Sequence, residues 1–597
     1  MLRRLHVLPI LLLLLALPAG AQEPFKGFDQ YVAGAMKLWQ VPGLAIALIK
    51  DGKVVYAKGY GTRTLGQNEP VDDRTLFAIG SSSKAFTVAA LGMLVDEKKV
   101  AWDDRVDRHL PMFRMFDPYA SHEMTIRDML SHRSGLVRGD LLWYGTDLDR
   151  TEIVRRIRYL EPSWSFRSRF GYQNLMFLTA GQLLTAVTGT SWEDFVARRL
   201  FAPLGMTATN TSTKALVGKP NVASPHAELN DTVRAVPYRN IDNIGPAGSI
   251  NSNVVDMAQW VRLHLNDGEL DGTRLLSSAV VQQMQTPTTI IPLEGVTARL
   301  ASEANFQSYG MGWFLQDHRG RKIVHHGGNI DGMSALVAML PSEKAGLVIL
   351  TNLNGTSLPT ALMYRVFDAW LGAPAKDWSG EMHAALKPLL DQAKAQQKKV
   401  EADRVKGTSP SHALADYTGK YLDPDSLYGQ AEIRLEGGGL MASYGVFQGP
   451  LEHWHYDTFR GSWTDPMAGK SLLTFNFADD GKVSEVRIQG IGTFNRQPEL
   501  VDTAGAVELS EADLRALVGR YQSDQPPVDL SVEFVDGYLQ AVLPGQPAYR
   551  MAAQSTTMFK LTGIPIVVTV EFKKEGGEVV SAELKQQGFT FDLKRQP

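Results

Sequence analysis

Residues 80–94 read GSSSKAFTVAALGML and carry the strongest signal for the fold of this chain. From Ser81 onward, apolar residues surround the whole circumference of a helix, which predicts a helix buried on all sides. Ser81 stands at the helix N-terminus, where free backbone N–H groups and the positive end of the helix dipole can stabilise an oxyanion. Lys84 lies three residues further on, on the same helical face.

A lysine in so apolar a helix is costly unless it is paired or has a lowered pKa. A lysine with a lowered pKa can take a proton from a serine and so activate it as a nucleophile. The alternative is that Ser81 simply caps the helix. The S-x-x-K pattern alone decides little, because ordinary serine and lysine usage produces about two chance matches in a chain of this length.

Two further elements follow in order. Tyr172-Gln173-Asn174 comes just ahead of an apolar helix, and His326-Gly327-Gly328 lies in a strand-rich segment of the same predicted domain. Taken alone, the tyrosine is a packed aromatic, the asparagine a helix cap and the histidine a structural residue. In this order and context, the three elements form a constellation.

With these elements the chain resembles the serine β-lactamase and penicillin-binding protein superfamily. Within it, the closest branch holds class C β-lactamases, D-aminopeptidases and related esterases, whose elements are S-x-x-K, Y-x-N and K-T-G or its variants. Four more stretches look like signatures of that family: TIRDMLSHRSGL at 125–136, PLGM at 203–206, PAGS at 246–249 and YGMGW at 309–313. The resemblance covers residues 25–372. It implies an α/β (α+β) catalytic domain with an antiparallel sheet flanked by helices and a helical insert.

The resemblance also implies roles for the matching residues. Ser81 is expected to be the nucleophile that forms an acyl-enzyme, and Lys84 and Tyr172 are expected to share proton transfer. The sequence leaves open which of the two is the general base. Asn174 is expected to orient Lys84 and to bond the substrate amide.

The strand near His326 completes the expected site. Gly327 and Gly328 let a substrate lie along this edge, where a side chain blocks close approach. The oxyanion hole is expected from the backbone N–H groups of Ser81 and Asn329. His326 stands where β-lactamases and D-Ala-D-Ala peptidases usually carry a lysine that binds the substrate carboxylate. Because histidine is mostly neutral at pH 7, we do not expect strong penicillinase activity; D-aminopeptidases and some esterases are similar at this position.

The whole chain has 597 residues, no cysteine, 44% hydrophobic residues and a formal net charge of −3. These values predict several folded domains and exclude a largely disordered, collagen-like or multi-span membrane protein. A nearly neutral chain offers no electrostatic attraction for nucleic acid.

Residues 1–21 combine two arginines, an apolar run and a small-residue end, which is typical of a secretory signal peptide cut after Ala21. The alternative is an N-terminal anchor, but the run is shorter than the roughly 20 apolar residues that span a bilayer. We therefore expect a periplasmic or secreted protein without stable membrane insertion after signal cleavage.

Residues 22–372 form the predicted hydrolase domain, with sheet strands from both of its ends. An Asp51-Gly52 turn predicts a hairpin near the start. Strand patterns return near the end, at 311–314, 322–324, 335–340 and 347–350, before a helix at about 358–371. Residues 373–412, rich in lysine, alanine and glutamine, predict a helical linker.

Beyond the linker the chain repeats itself. YTGKY at 417–421 recurs as LVGRY at 517–521, exactly 100 residues later, and both copies run on into alternating strands. We predict two small lipocalin-like antiparallel β-barrels, at 413–500 and 507–597.

His453 and His455 in the first predicted barrel are two residues apart and face the same side of a strand, an arrangement that can bind a metal. Because no further ligand cluster accompanies them, we predict a structural stretch and no metal. No glycine-rich loop or ligand set suggests a cofactor.

The sequence therefore predicts an exported serine hydrolase acting on an amide or ester bond of a small molecule or peptide. A D-aminopeptidase, other peptidase or esterase fits better than a strong penicillinase. One alternative is a penicillin-binding-type sensor that acylates without turnover; another is an inert domain whose barrels hold a hydrophobic ligand. We also hypothesise that a barrel loop reaches over the active site. The oligomeric state is not predicted.

Overall fold

The computed structural model describes residues 25–424, 427–497, 507, 509–524, 527–535, 537–544, 546, 548–564 and 566–596. The predicted signal peptide lies outside these residues. The chain forms a mixed α/β domain, a long helix and two closed β-barrels, which confirms the predicted fold class. Among the described helices, none is both long and apolar enough to cross a membrane.

The N-terminal domain is built on an eight-stranded antiparallel sheet whose strands come from both ends of the domain. Its central strands are buried along almost their whole length, because helices cover both faces of the sheet. In spatial order, the strands are Lys53–Gly61, Gly43–Lys50, Ala345–Thr351, Met333–Leu340, Arg321–Ile330, Phe314–His318, Gln307–Tyr309 and Thr289–Ile291.

Two helices, Phe28–Leu38 and Leu358–Trp370, pack on one face of the sheet, and Lys84–Asp96 and Val254–Leu265 pack on the other. The other α-helices of the domain are Val106–His109, Pro118–Glu123, Ile126–Leu130, Arg150–Arg156, Asn174–Thr188, Trp192–Val196, Gly245–Gly248, Ser278–Met284 and Gly295–Leu300. Three two-stranded ribbons pair Phe77–Ala78 with Asn251–Ser252, His226–Leu229 with Thr232–Ala235, and Glu269–Leu270 with Thr273–Arg274.

The buried helix begins one turn later than the sequence pattern suggests. Gly80–Ser83 forms a single 3₁₀ turn, and the α-helix runs over Lys84–Asp96. Its first eleven residues are all buried, as the apolar circumference predicts. Ser81 therefore sits in a tight turn against the helix N-terminus, and Lys84 is the first residue of the helix.

The strand predicted at 311–314 is mostly a turn. The strands on either side of it are Gln307–Tyr309 and Phe314–His318. Gly312 adopts a left-handed conformation with φ of 74°, and a Cβ on Gly310 would lie 2.3 Å from the Met284 carbonyl oxygen. The two glycines permit this tight, buried turn of the chain. The hydrophobic pattern alone predicts an extended strand there.

The linker segment contains one long helix, Trp378–Ala402, and two closed antiparallel barrels follow it. The first barrel comprises Gly419–Leu422, Gln430–Glu436, Gly439–Tyr444, Phe447–His455, Thr458–Ser462, Lys470–Phe477, Val483–Ile488 and Gly492–Arg496. The second comprises Gly519–Asp524, Pro527–Val535, Tyr538–Val542, Tyr549–Ala553, Met558–Leu561, Val568–Glu575, Glu578–Gln586 and Phe589–Arg595, preceded by the short helix Glu511–Ala516.

One end of the first barrel docks on the N-terminal domain. The Val446 N–H donates to the Gly145 carbonyl oxygen at 2.8 Å. A Cβ on Gly445 would lie 2.3 Å from the same oxygen, and a Cβ on Gly145 would collide with the Phe447 ring. Leu427 of the barrel packs into the hydrophobic core of the N-terminal domain. The close backbone approach is possible because both facing residues are glycines.

Candidate active site

A cleft of about 560 Å³ opens where the N-terminus of the buried helix meets the edge of strand Arg321–Ile330. The predicted site residues Ser81, Tyr172, Asn174, His326, Gly327, Gly328 and Asn329 all line it. The structure thus brings together the three sequence elements, which are about 90 and 150 residues apart in the chain.

Lys84 is fully buried and connects the elements. Its Nζ lies 3.0 Å from Ser81 Oγ, 2.7 Å from Asn174 Oδ1 and 2.9 Å from the Ala247 carbonyl oxygen. A neutral amine has two N–H donors and one lone pair. If the N–H groups donate to Asn174 and Ala247, the lone pair points at the Ser81 hydroxyl, which is the arrangement that a general base requires.

Burial lowers the pKa of Lys84 well below its usual value, because the charged ammonium loses its hydration. The positive charge of Arg138 lowers it further, whereas the carboxylate of Asp140 raises it. The environment therefore favours the neutral amine that can accept the serine proton.

Tyr172 lies beside this pair and is half-buried at the cleft. The Lys84 Nζ stands 4.9 Å from the centre of its ring. Burial raises the pKa of the Tyr172 hydroxyl, and a hydrogen bond with Ser81 opposes that shift. The phenol therefore stays protonated at neutral pH, which suits it to donate or relay a proton.

His326 is buried among aromatic rings, and both of its ring nitrogens have protein partners. Nδ1 lies 2.6 Å from the Gly327 carbonyl oxygen, which can only accept, and Nε2 lies 2.9 Å from the Tyr309 hydroxyl. The ring therefore donates from Nδ1 and accepts at Nε2. Burial lowers the pKa of His326 to about 3, so the ring is neutral and does not act as a cation for a substrate carboxylate.

The backbone of the edge strand passes very close to the serine turn. A Cβ on Gly328 would collide with the Ile79 carbonyl oxygen and lie 3.1 Å from the Ser81 nitrogen. A Cβ on Gly80 would lie 2.7 Å from the Asn329 nitrogen. The two glycines thus allow the backbone amides of Ser81 and Asn329 to approach one another at the mouth of the cleft.

The sequence did not identify Asp140, which holds Asn174 in place. Asp140 Oδ1 accepts from Asn174 Nδ2 at 2.7 Å and from the Trp143 indole N–H at 2.8 Å. This orients the Asn174 amide so that its oxygen faces Lys84. Asp140 comes shortly after the signature stretch at 125–136, but nothing in its own spacing marks it as part of the site.

His132 is a second buried residue that sequence reasoning did not single out. Its ring lies 4.4 Å from the Tyr172 ring and 4.6 Å from the Tyr309 ring, measured between centres. Its Nδ1 accepts from the Gln173 backbone N–H at 3.1 Å, just ahead of helix Asn174–Thr188. His132 therefore packs against the Tyr172 ring.

The first barrel supports one wall of the cleft from behind. Tyr144 and Asp331 line the cleft, and the Tyr144 hydroxyl donates to Asp331 at 2.8 Å. Arg239 binds both of them and also reaches the barrel: its Nε lies 2.8 Å from Asp331 Oδ2, and its Nη2 lies 2.5 Å from Asp465 Oδ2. Among the described residues that line the cleft, none belongs to a barrel. The described part of the barrel contacts this wall but does not line the cleft, so the hypothesised barrel loop over the active site is not seen among these residues.

His453 and His455 make separate protein contacts. The His453 ring nitrogen lies 2.8 Å from the Tyr456 carbonyl oxygen, and His455 Nδ1 accepts from the Val405 N–H. A β-bulge lies at this point, and Trp454 is buried between the guanidinium groups of Arg404 and Arg460. Within the described residues, no group of three or more histidine, aspartate and glutamate side chains is arranged to hold a metal ion.

The family described as Beta-lactamase matches residues 28–368, more than half of the chain, and a domain of unknown function, DUF3471, matches residues 403–502. The unguisins hydrolase ungD of Aspergillus violaceofuscus is 33% identical over 60% of this chain and 67% of its own length. The unguisins hydrolase ungD' of Aspergillus campestris is 30% identical over 67% of this chain and 76% of its own length.

Among solved structures, the octameric penicillin-binding protein homologue from Pyrococcus abyssi covers 95% of this chain and 99% of its own, with a TM-score of 0.51 and 17% identity. At that identity, the similarity shows a shared fold. The family match shows that this chain belongs to the beta-lactamase family. The family match and the relatives named as hydrolases identify this chain as a serine hydrolase.

Proposed function

We propose that this hydrolase cleaves an amide or ester bond through an acyl-enzyme on Ser81, with Lys84 as the general base. The observation that carries the proposal is the 3.0 Å approach of Lys84 Nζ to Ser81 Oγ. The lowered pKa of the buried lysine supports it, and so does the raised pKa of Tyr172, which makes the phenol a poor proton acceptor.

In the first step, Ser81 Oγ attacks the carbonyl carbon of the substrate while its proton passes to Lys84 Nζ. The carbonyl oxygen becomes an oxyanion, which the backbone N–H groups of Ser81 and Asn329 are placed to bind. The bond to the leaving group then breaks. The leaving nitrogen or oxygen takes a proton from the Lys84 ammonium, either directly or through the Tyr172 hydroxyl.

In the second step, water attacks the acyl-enzyme. One proton of the water passes to the neutral Lys84 Nζ. The ester bond to Ser81 then breaks, Oγ takes this proton from Lys84, and the acid product leaves. Asn174, fixed by Asp140, keeps the lysine aimed at the serine throughout. Precise aim matters because small displacements of a reacting group lower rates steeply.

The substrate class that we propose is a peptide or a small amide or ester that needs no carboxylate beside His326. The neutral, internally hydrogen-bonded ring at that position supports this choice over penicillins. The two relatives named as hydrolases support bond hydrolysis as the overall reaction. We also propose that the chain is exported, on the strength of the first 21 residues; N-terminal sequencing of the mature protein from a periplasmic or secreted fraction tests this.

Intact-mass measurement tests the acyl-enzyme. A fluorophosphonate is expected to add once to the wild-type chain and not to Ser81→Ala, while Ser168→Ala, which changes an exposed serine, retains the adduct. Labelling of Ser81→Ala at the wild-type rate would place the nucleophile elsewhere.

A second arm distinguishes an enzyme from a sensor. With p-nitrophenyl esters or peptide amides, we expect a transient acyl adduct and continuing release of product. An adduct that persists after one equivalent of product would instead favour the penicillin-binding-type sensor. A parallel incubation with penicillin is expected to give little adduct.

A further inference from the structure

The two barrels share one fold, but the corresponding ends of the two barrels have different surroundings. Tyr421 and Tyr521 are both fully buried, and each donates its hydroxyl to the carbonyl oxygen four residues earlier, at 2.7 and 2.8 Å. The barrels can therefore be superposed element by element. At the end where the first barrel docks on the N-terminal domain, the second barrel has an open cavity of about 740 Å³.

The first barrel fills this end with its own aromatic side chains. Tyr444, Phe447 and Trp463 are all buried there, and Tyr144 of the N-terminal domain packs against them. The strand register identifies the counterparts: Leu440 pairs with Leu451 as Leu539 pairs with Met551, so Leu543 corresponds to Tyr444. In the same way, Gly563 corresponds to Trp463.

Smaller residues thus replace two of the fillers, and the second barrel is hollow where the first is packed. Aliphatic side chains line much of the cavity, among them Val528, Leu561, Ile564 and Leu584, and polar side chains line the rest. An eight-stranded barrel is wide enough to enclose one small ligand, and ligand cavities usually measure 300–1,000 Å³ with mostly apolar walls.

The polar groups at the cavity restrict the chemistry of what it can hold. Gln522, Gln546 and Gln586 contribute neutral amides. Among the described residues that line it, none is basic, and the one carboxylate, Asp529, is paired with Arg520. The wall therefore offers no cation for an anionic head group, while the amides can bond a neutral polar end.

We propose that the second barrel binds an uncharged, largely apolar small molecule in this cavity. This inference is independent of the proposed hydrolytic reaction. A small molecule fits better than a docked protein surface, because the first barrel shows that docking uses an end already filled with aromatic side chains. A small molecule can enter and fill the cavity, whereas a flat protein surface docked on this end of the barrel would leave the cavity empty.

The test uses the full mature chain and N-phenyl-1-naphthylamine, an uncharged apolar fluorophore. We expect a saturable rise in fluorescence with one site per chain. Leu543→Tyr, which installs the side chain of the first barrel, and Leu561→Trp, which fills the cavity, should each weaken binding by at least about tenfold. Val580→Trp is the matched control, because Val580 is exposed on a strand of the same barrel; it should bind as the wild type does.

Thermal melts of all four proteins establish that the barrel remains folded, and prior labelling of Ser81 with a fluorophosphonate separates this site from the cleft. Binding that survives labelling and falls in the two cavity variants supports the proposal. Absence of saturable binding, equal binding in all variants, or binding lost on Ser81 labelling would overturn it. So would concentration-dependent self-association that the two cavity variants abolish, since a second copy would then occupy this end.

Discussion

The two barrels share strand order and register, but their surroundings differ. Among the described residues, the first barrel makes hydrogen bonds to the N-terminal domain, whereas hydrogen bonds from the second barrel stay within it. The first barrel is tied through Arg239 to two residues that line the cleft. The same fold therefore braces a wall of the cleft in one copy, while the described part of the other copy makes no hydrogen bond outside itself; the difference lies in the residues at one end.

Removal of each barrel should give the largest contrast. A chain ending at residue 402 lacks both barrels and exposes the Tyr144 wall, so we expect kcat/KM for a p-nitrophenyl ester to fall by about 100-fold, as a misplaced site wall predicts. A chain ending at residue 497 keeps the first barrel and should stay within about twofold of the full chain, because no residue of the second barrel that the structure describes lines the cleft.

Circular dichroism and thermal melts must show that both shortened chains are folded before the rates are compared. Equal kcat/KM values for all three folded chains would contradict the idea that the first barrel supports the cleft wall. A large loss in the chain ending at residue 497 would instead show that the second barrel also acts on the cleft.

A single substitution should reproduce part of this effect. Arg239→Met leaves the buried Asp331 and the half-buried Asp465 without their shared partner, and leaving such groups unpaired costs about 2 kcal/mol of stability. Because Asp331 and Tyr144 line the cleft, we also expect KM to rise more than kcat falls. Urea unfolding and steady-state kinetics measure the two effects.

Asp465→Asn is the matched variant on the barrel side. It keeps an oxygen acceptor for Arg239 and leaves the Asp331 contact intact, so its effects on stability and KM should be smaller than those of Arg239→Met. An Asp465→Asn variant that is as impaired as Arg239→Met would place the important contact at the barrel and not at the cleft.

The pH dependence should be a property of the N-terminal domain alone. A base must be unprotonated to act, so kcat/KM should rise with pH and level off above the Lys84 pKa, which burial places well below 10.5. Below that pKa the rate should fall about tenfold per pH unit. Since the described contacts of Lys84 all lie within the N-terminal domain, we expect the same rise of kcat/KM with pH in the chain ending at residue 497. If this truncation shifts the pH at which kcat/KM rises, the second barrel influences Lys84 and the prediction is wrong.

Much of the site could be predicted from sequence, because its chemistry sits in short motifs. Ser81 and Lys84 share one turn of the chain, so their proximity follows from local geometry. The role of Asp140 could not be predicted, because it depends on a contact with Asn174, which lies 34 positions later in the chain. The turn at 311–314 was predicted as a strand for a related reason, since Gly310 faces the distant Met284 carbonyl and Gly312 packs on Ala85 and Val88 of the buried helix.

In the barrels, too, local sequence motifs predict the fold but do not predict the contacts between distant residues. Their repeated YTGKY and LVGRY stretches predict two similar folds, and the structure confirms two closed barrels. The first barrel docks where Gly145 meets Gly445, 300 residues apart, and a side chain at either position would block the approach. No local pattern marks such a pair, because each glycine alone is an ordinary turn residue.

The smallest effect is expected where the barrels are alike. Tyr421→Phe and Tyr521→Phe each remove one buried hydroxyl and leave the carbonyl oxygen of Tyr417 or Leu517 without that donor. Loss of one such bond costs about 1 kcal/mol, so both substitutions should lower the stability of their own barrel by a similar amount. Hydrogen exchange followed by mass spectrometry resolves the two barrels within one chain. If Tyr421→Phe is much less damaging than Tyr521→Phe, docking on the N-terminal domain stabilises the first barrel as well as bracing the cleft.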